Sequence, residues 1–120
     1  MIHIAIKAAK LSSHKQRVGA AVVKSGRVLS AACNAVRFKK GDFRKKWENS
    51  LHAEQAALLA IPPSQRKGCS LYVARIRPDG ELGMAFPCEV CRELILKYKI
   101  KEVFYTTNCG SVFCWRINGR

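Results

Sequence analysis

No stretch of this 120-residue chain approaches the roughly 18 consecutive apolar residues of a membrane-spanning helix, which excludes a membrane-embedded reading. The segment Met1 to Lys10 interleaves charged and polar side chains with apolar ones and so lacks the apolar core of a secretory leader; an intracellular, cytoplasmic protein is expected. Internal repeats, low-complexity tracts and linker-like stretches are missing, and the length leaves no room for a separate substrate domain, so residues 1–120 are expected to form one domain. Acid is scarce. Eight Asp and Glu stand against 22 Lys and Arg, a formal charge of +14. A chain that handles only neutral metabolites has no use for such an imbalance, and phosphate or nucleic acid is the natural partner.

What remains, 48% hydrophobic and 25% charged, is the composition of a globular domain with a buried core. Ile4, Ala5, Ala8, Ala9 and Leu11 recur at helical spacing and predict a helix over Ile2 to Lys10, ended by Ser12, Ser13 and His14. Val18 to Val23 and Val28 to Cys33 are short apolar runs joined by Lys24-Ser25-Gly26-Arg27, which predicts a hairpin, with Gly19 a point of close approach. Asn49 or Ser50 suits the cap of a second helix, Leu51 to Ala60, stopped by Pro62-Pro63. Cys69 to Ile76 reads as a third strand followed by the turn Arg77-Pro78-Asp79-Gly80, and Pro87 fits the first position of a third helix reaching Tyr98. Glu102 to Thr106 and Ser111 to Arg116 are the last strands. Only Asn108 to Gly110 separate them, so they must pair antiparallel, because a parallel pair needs a crossover of about a dozen residues. The order α-β-β-α-β-α-β-β predicts an α/β fold, a five-stranded mixed sheet in layers with helices on both faces.

His52-Ala53-Glu54 and, much later, Pro87-Cys88-Glu89-Val90-Cys91 carry the chemistry. One imidazole and two thiolates fill three positions of a tetrahedral zinc and leave the fourth to water, the arrangement of a catalytic site. His52, Cys88 and Cys91 are therefore the candidate ligands of one zinc ion per chain, each near a helix start whose positive end favours thiolate over thiol. Glu54, two residues beyond His52, is turned about 200° around a helix from it. It need not ligate the metal and is the candidate general acid/base. A structural zinc or a redox Cys-x-x-Cys is the plainer alternative, but the motif lacks a fourth ligand and Glu54 would then have no role. Cys33, Cys69, Cys109 and Cys114 lie in apolar surroundings and read as buried free thiols.

One further tract stands out. Between Arg37 and Lys46 six basic residues, Arg37, Lys39, Lys40, Arg44, Lys45 and Lys46, are interleaved with Phe38 and Phe43, and Trp47 follows. These are candidate phosphate or nucleic-acid contacts, with the aromatic rings available to stack on bases. An ordinary solvated loop, its rings pinned to the core, is the alternative.

The two motifs resemble those of the zinc-dependent cytidine/deoxycytidylate deaminase superfamily, whose signature is His-x-Glu with Pro-Cys-x-x-Cys. Ser12 and Ser13, Val18 to Val23, the Gly26 turn, Asn34 and Ile100 to Tyr105 extend the likeness along the chain. The resemblance implies a cytidine deaminase-like layered fold and hydrolytic conversion of a cytosine base to uracil with release of ammonia, on a free nucleoside or nucleotide such as cytidine, deoxycytidine or dCMP. It further implies that Glu54 is acid/base and not a ligand, that Asn34 binds the sugar, that the Ala53 backbone meets the base carbonyl, and that the Phe86 carbonyl receives the exocyclic amine. Histidine as first ligand looks like the deoxycytidylate, tRNA-editing and polynucleotide-editing branches, whereas the closely spaced final strands look like the free-nucleoside arrangement. Two alternatives stay open: a cytosine or adenine deaminase acting on single-stranded DNA or RNA, and a zinc-stabilised nucleic-acid-binding module without catalysis. A homo-oligomer, dimer or tetramer, is the assembly that similar proteins suggest.

Overall fold

Helix α1 (Ile2–Lys10) buries Ala5, Ala8 and Ala9 against the sheet. Side chains this small let the helix come close, and a Cβ added to Gly19 of strand β1 (Arg17–Lys24) would collide with the Ala5 carbonyl and the Ala9 backbone. The close approach expected of Gly19 is therefore real, and α1 is its partner. These elements belong to a computed structural model that describes residues 1–13, 16–36 and 50–117. The basic tract with Arg37, Lys39, Lys40, Arg44, Lys45 and Lys46 lies outside the described residues, as do His14, Asn49 and Trp47.

Strand β2 (Arg27–Cys33) returns antiparallel to β1 with Lys24 opposite Arg27. Ser25 and Gly26 between them have φ of 53° and 77°, and two positive φ values in a row are what a two-residue type I′ turn demands. Beyond β2 the chain departs from expectation. Ala35–Val36 (β3) and Ser50–Leu51 (β4) pair as a separate small antiparallel sheet, so Ser50 opens a strand and is not the helix cap. Helix α2 (Ala53–Leu59) begins two residues later than the periodicity predicts, because His52 keeps an extended backbone (φ −70°, ψ 144°) and is itself the N-cap. Its N–H donates to the Gln55 side chain at 3.3 Å, one arm of a capping box.

A 3₁₀ turn at Pro63–Gln65 leads to strand β5 (Ser70–Ile76), whose end pairs with the two-residue strand β6 (Leu82–Gly83). Helix α3 (Glu89–Lys97) repeats the pattern of α2: Cys88 is the N-cap, with φ −70° and ψ 171°, and Pro87 precedes the cap instead of opening the helix. The helix then crosses to strand β7 (Glu102–Thr106), parallel to β5 with Ser70 opposite Glu102. Strand β8 (Val112–Arg116) closes the chain as the expected antiparallel partner of β7. The main sheet runs β2-β1-β5-β7-β8, with β6 joined to β5 as a sixth member too short to show in the sequence pattern.

Alternation along the strands splits the sheet into two faces. On one, Ala20, Val22, Leu71, Val73 and Val103 pack with Ala57 and Leu58 of α2 and Ile95 of α3 in a single core. The other carries α1 over Gly19, so helices lie on both faces as predicted. Cover is thinner at the β8 edge, where Val112, Phe113 and Cys114 are exposed. The expectation of buried thiols thus holds for Cys69 and fails for Cys109 and Cys114, which sit on the terminal strand and its turn; Cys33 is half-buried. No helix among the described residues is long and apolar enough to cross a membrane.

Candidate metal centre and substrate cavity

Because β5 and β7 are parallel and joined through α3, the start of α3 lies at the carboxyl end of β5, the edge at which ligands collect in such units. A cavity of about 280 Å³ opens there. Its wall is built from the start of β1, Asn34 after β2, the start of α2, Arg75 at the end of β5, and residues leading into α3.

At one side of the cavity His52 Nδ1 lies 3.3 Å from Cys91 Sγ and 3.5 Å from Cys88 Sγ, and the three donor atoms are all within 4.8 Å of one another. Zinc bonds of about 2.3 Å to sulfur and about 2.0 Å to nitrogen, set at a tetrahedral angle, place nitrogen and sulfur about 3.5 Å apart. Spacing and donor type both fit zinc, and no fourth donor joins this cluster among the described residues. Local structure explains the convergence. His52 and Cys88 cap two helices that share one core through Leu58 and Ile95, and Cys91 follows in the first turn of α3.

Glu54 is 6% exposed and stands outside that three-donor cluster. Burial raises its carboxyl above the ordinary range, opposed by its own backbone N–H, the His52 ring and a hydrogen bond with Cys91. Burial also drives the Cys91 thiol up, and the neighbouring Glu54 carboxyl and Cys88 thiol push the same way. Glu54 and Cys91 thus stand together where the charged form of each is disfavoured. A divalent cation reverses that balance, so the electrostatics of the donor set fit a metal independently of the distances.

The other residues singled out by resemblance line the same cavity. Asn34 is buried, and most of its amide is engaged: Oδ1 accepts from Ser12 Oγ at 2.8 Å and from the Val18 N–H at 2.9 Å, while Nδ2 donates to the Gln16 carbonyl at 2.6 Å. Of the four bonds an amide can make, one Nδ2 hydrogen is left for a ligand among the described residues. Ala53 is fully buried at the start of α2. Phe86 packs its ring against Tyr105 and Trp115, with centroids 5.1 and 5.4 Å away. The segment before it is fastened to β7 and its turn: the Ala85 N–H donates to the Thr106 carbonyl at 2.9 Å, the Met84 N–H donates to Asn108 Oδ1 at 2.9 Å, and Thr106 Oγ1 donates to the Gly83 carbonyl at 2.8 Å. These bonds set where Phe86 and Cys88 stand.

Gln16, Arg75 and Met84 also line the cavity and have no place in the sequence motifs. Gln16 and Met84 leave no signal in the sequence pattern. Arg75 does: it ends the inward row Leu71, Val73, Arg75, and a charge at an inward position of an apolar strand is the clue from which it could be read.

A mixed sheet that presents a histidine and two cysteines from two helix starts, with a buried carboxylate beside them, defines a zinc-binding α/β domain of the deaminase type. The chain belongs to the family described as the cytidine and deoxycytidylate deaminase zinc-binding region, whose model matches residues 1–107. It is 28% identical over 116 residues to a deoxycytidylate deaminase of Homo sapiens, a match covering 86% of this chain and 60% of that protein. A deoxycytidylate deaminase of Pongo abelii is 33% identical over 72 residues, covering 60% of this chain and 35% of the relative. The chain therefore spans less than two thirds of the length of the curated relatives it matches. Among solved structures, the dCMP deaminase of cyanophage S-TIM5 superposes with a TM-score of 0.65 at 25% identity, covering 88% of this chain and 79% of the other.

Proposed function

We propose that this chain removes the amino group from a cytosine base by hydrolysis, leaving uracil and releasing ammonia, with a free nucleoside or nucleotide as substrate. The observation that carries this is the buried Glu54 beside the three-donor cluster of His52, Cys88 and Cys91, at a cavity that also holds Asn34. His52, Cys88 and Cys91 would hold the zinc, which when bound makes a water molecule acidic enough to lose a proton near neutral pH.

Glu54 does the proton work. Its burial raises its proton affinity, so it takes the proton from water and gives it to the ring nitrogen of the base, which makes the adjacent amine-bearing carbon electrophilic. A second transfer through the same carboxylate reaches the exocyclic nitrogen, the carbon–nitrogen bond breaks, and the water oxygen stays on the ring. Asn34 offers its remaining Nδ2 hydrogen to the sugar, the Ala53 backbone meets the base carbonyl, and the Phe86 carbonyl accepts from the exocyclic amine. The deoxycytidylate and dCMP deaminases to which the chain is similar support a nucleotide substrate. The exposed Val112 and Phe113 on the edge strand suit a homo-oligomer, a dimer or tetramer measurable by sedimentation. The unpaired cysteines among the described residues suit a reducing, intracellular compartment.

A substrate panel tests the proposal: ammonia release from cytidine, deoxycytidine, their mono- and triphosphates, adenosine, guanine, and single-stranded DNA and RNA. Turnover of a free cytosine compound is expected. Turnover confined to polynucleotide, falling steeply with salt as phosphate contacts release counterions, would move the assignment to nucleic-acid editing. A chain that holds zinc and consumes nothing would be a binding module.

A further inference from the structure

The inward face of β5 carries Leu71 and Val73 into the core, and the next side chain in that row is Arg75, at the wall of the cavity that holds Asn34, His52 and Glu54. One Nη of Arg75 donates to the side-chain carbonyl of Gln16, and the main-chain carbonyl of Gln16 accepts from Asn34 Nδ2. The arginine is thus held by a neutral acceptor, one residue removed from the asparagine proposed for the sugar. No carboxylate among the described residues pairs with it, and its Nε is buried without a hydrogen-bond partner among them.

Arg77, two residues on, also has a buried Nε without a hydrogen-bond partner among the described residues, and differs from Arg75 in its counter-charge and its cavity. Its Nε faces Asp79 Oδ1 at 3.7 Å, and it borders a different cavity with Glu81, Asn108 and Cys109. Gly83, opposite Arg75 in β6, makes room for both stems, since a Cβ there would lie 2.9 Å from Arg77 Cγ and 3.4 Å from Arg75 Cδ. A cation at a cavity wall with no counter-charge among the described residues is costly without a ligand and ready for an anionic one. A guanidinium is also the group whose planar fork matches two phosphate oxygens.

We propose that Arg75 is the phosphate-recognising, specificity-determining residue of this site, so that the cavity takes a cytosine nucleoside monophosphate, a phosphate monoester, in preference to the bare nucleoside. This rests on the deaminase function proposed above and adds the charge of the ligand to it. Gln16 orients the guanidinium, and Gly83 leaves space for it to lie against β6. The chain's excess of positive charge raises the concentration of anions nearby, but only a contact at Arg75 distinguishes a nucleotide from its nucleoside within the site.

The test compares kcat/KM for dCMP and deoxycytidine in the zinc-loaded full chain and in Arg75→Gln, Arg75→Lys and Arg77→Gln. In Arg75→Gln the ratio of nucleotide to nucleoside should fall roughly 10- to 100-fold, chiefly through KM for the nucleotide, and less in Arg75→Lys, which keeps the charge. Arg77→Gln should move the ratio by no more than about threefold. An unchanged ratio in Arg75→Gln, or equal falls in Arg75→Gln and Arg77→Gln, would overturn the assignment, the second because it indicates a diffuse field and no contact. A third arm uses a short single-stranded oligodeoxynucleotide with one cytosine; preference of the unaltered chain for it over dCMP would place the recognised phosphate in a polynucleotide backbone and also overturn the proposal. Should Arg75→Gln fail to fold, the unaltered chain still decides: inorganic phosphate should compete with dCMP, and absence of competition counts against the site. If no cytosine compound is consumed at all, the deaminase function fails, and calorimetric binding of dUMP against deoxyuridine in the same proteins still reads Arg75. Tighter dUMP binding that Arg75→Gln abolishes supports the phosphate site, and equal binding of the two ligands refutes it.

Discussion

His52 Nδ1 sits 3.3 Å from Cys91 Sγ although 39 positions separate the two residues in the chain. Neither side chain reaches the other by local geometry. His52 caps α2, Cys91 lies in the first turn of α3, and the two helices share one side of the sheet through Leu58 and Ile95. The candidate metal centre is therefore a by-product of how two helices pack, and its chemistry can be probed by disturbing one helix start at a time.

Zinc binding should be strongly pH-dependent. In the metal-free chain burial holds the Cys91 thiol protonated well above its ordinary range, and zinc binds only the thiolate, so uptake must expel that proton. Apparent zinc affinity, measured by competition with a chromophoric chelator, is expected to climb as pH rises from about 6 to about 9. A flat profile would show that Cys91 is not a ligand.

Glu54→Gln should keep close to one zinc per chain while ammonia release falls by at least about 100-fold, the usual weight of a positioned acid/base. The same variant has a stability signature in metal-free protein. Because burial raises the folded-state pKa of Glu54 above its unfolded value, stability present at low pH is lost as pH rises through the raised value. Metal-free Glu54→Gln should therefore melt higher than the metal-free parent at neutral pH, with the gap closing as pH falls toward the unfolded carboxyl value of about 4.3. A gap that widens on acidification would contradict the burial of this carboxylate.

Gly19→Val is expected to destabilise the fold by about 3 kcal/mol, at the upper end for overpacking, because the obstacle is the α1 backbone at Ala5 and Ala9 and cannot rotate aside. Urea unfolding followed by circular dichroism measures the loss. Gly26→Ala, in an open turn with φ of 77°, meets no neighbour and should cost only about 1 kcal/mol from its backbone conformation.

Cys109 should react as an unusually acidic thiol. It is exposed, and hydrogen bonding with Ser111 and then Thr107 lowers its pKa to about 7. Only the thiolate is alkylated, so the rate of modification by iodoacetamide should rise with pH and reach half its plateau near that value. Ser111→Ala, which removes the largest cause, should move the midpoint upward.

Much of the fold is legible in residue pattern because its elements are locally consistent. Short apolar runs mark β1, β2 and β5, a two-residue turn with Gly26 joins the first pair, and the short connection after Thr106 compels an antiparallel end. The pattern fails where an element is too short to carry a period, as in β3, β4 and β6, each two residues long. It also fails at the helix starts. Helix propensity counts His52 and Cys88 as helical neighbours, yet both take extended cap conformations. The exposure of Cys109 and Cys114 was equally hidden, since an apolar neighbourhood in sequence does not reveal that a strand will lie at the edge of the sheet.

The residues alone determined the donor set: one imidazole, two thiols three positions apart and one carboxylate two residues from the imidazole carry the expectation of zinc and proton transfer, because donor type and short spacing are properties of the chain itself. Only the tertiary structure decided that His52 meets Cys88 and Cys91, that Glu54 is buried beside them, and that Asn34, Gln16 and Arg75 wall the same cavity. Those relationships arise from the parallel pairing of β5 with β7, the crossing of α3 and the packing of α2 on the same face. Contacts between segments far apart in sequence are set by the burial of the whole core, and no local pattern encodes them.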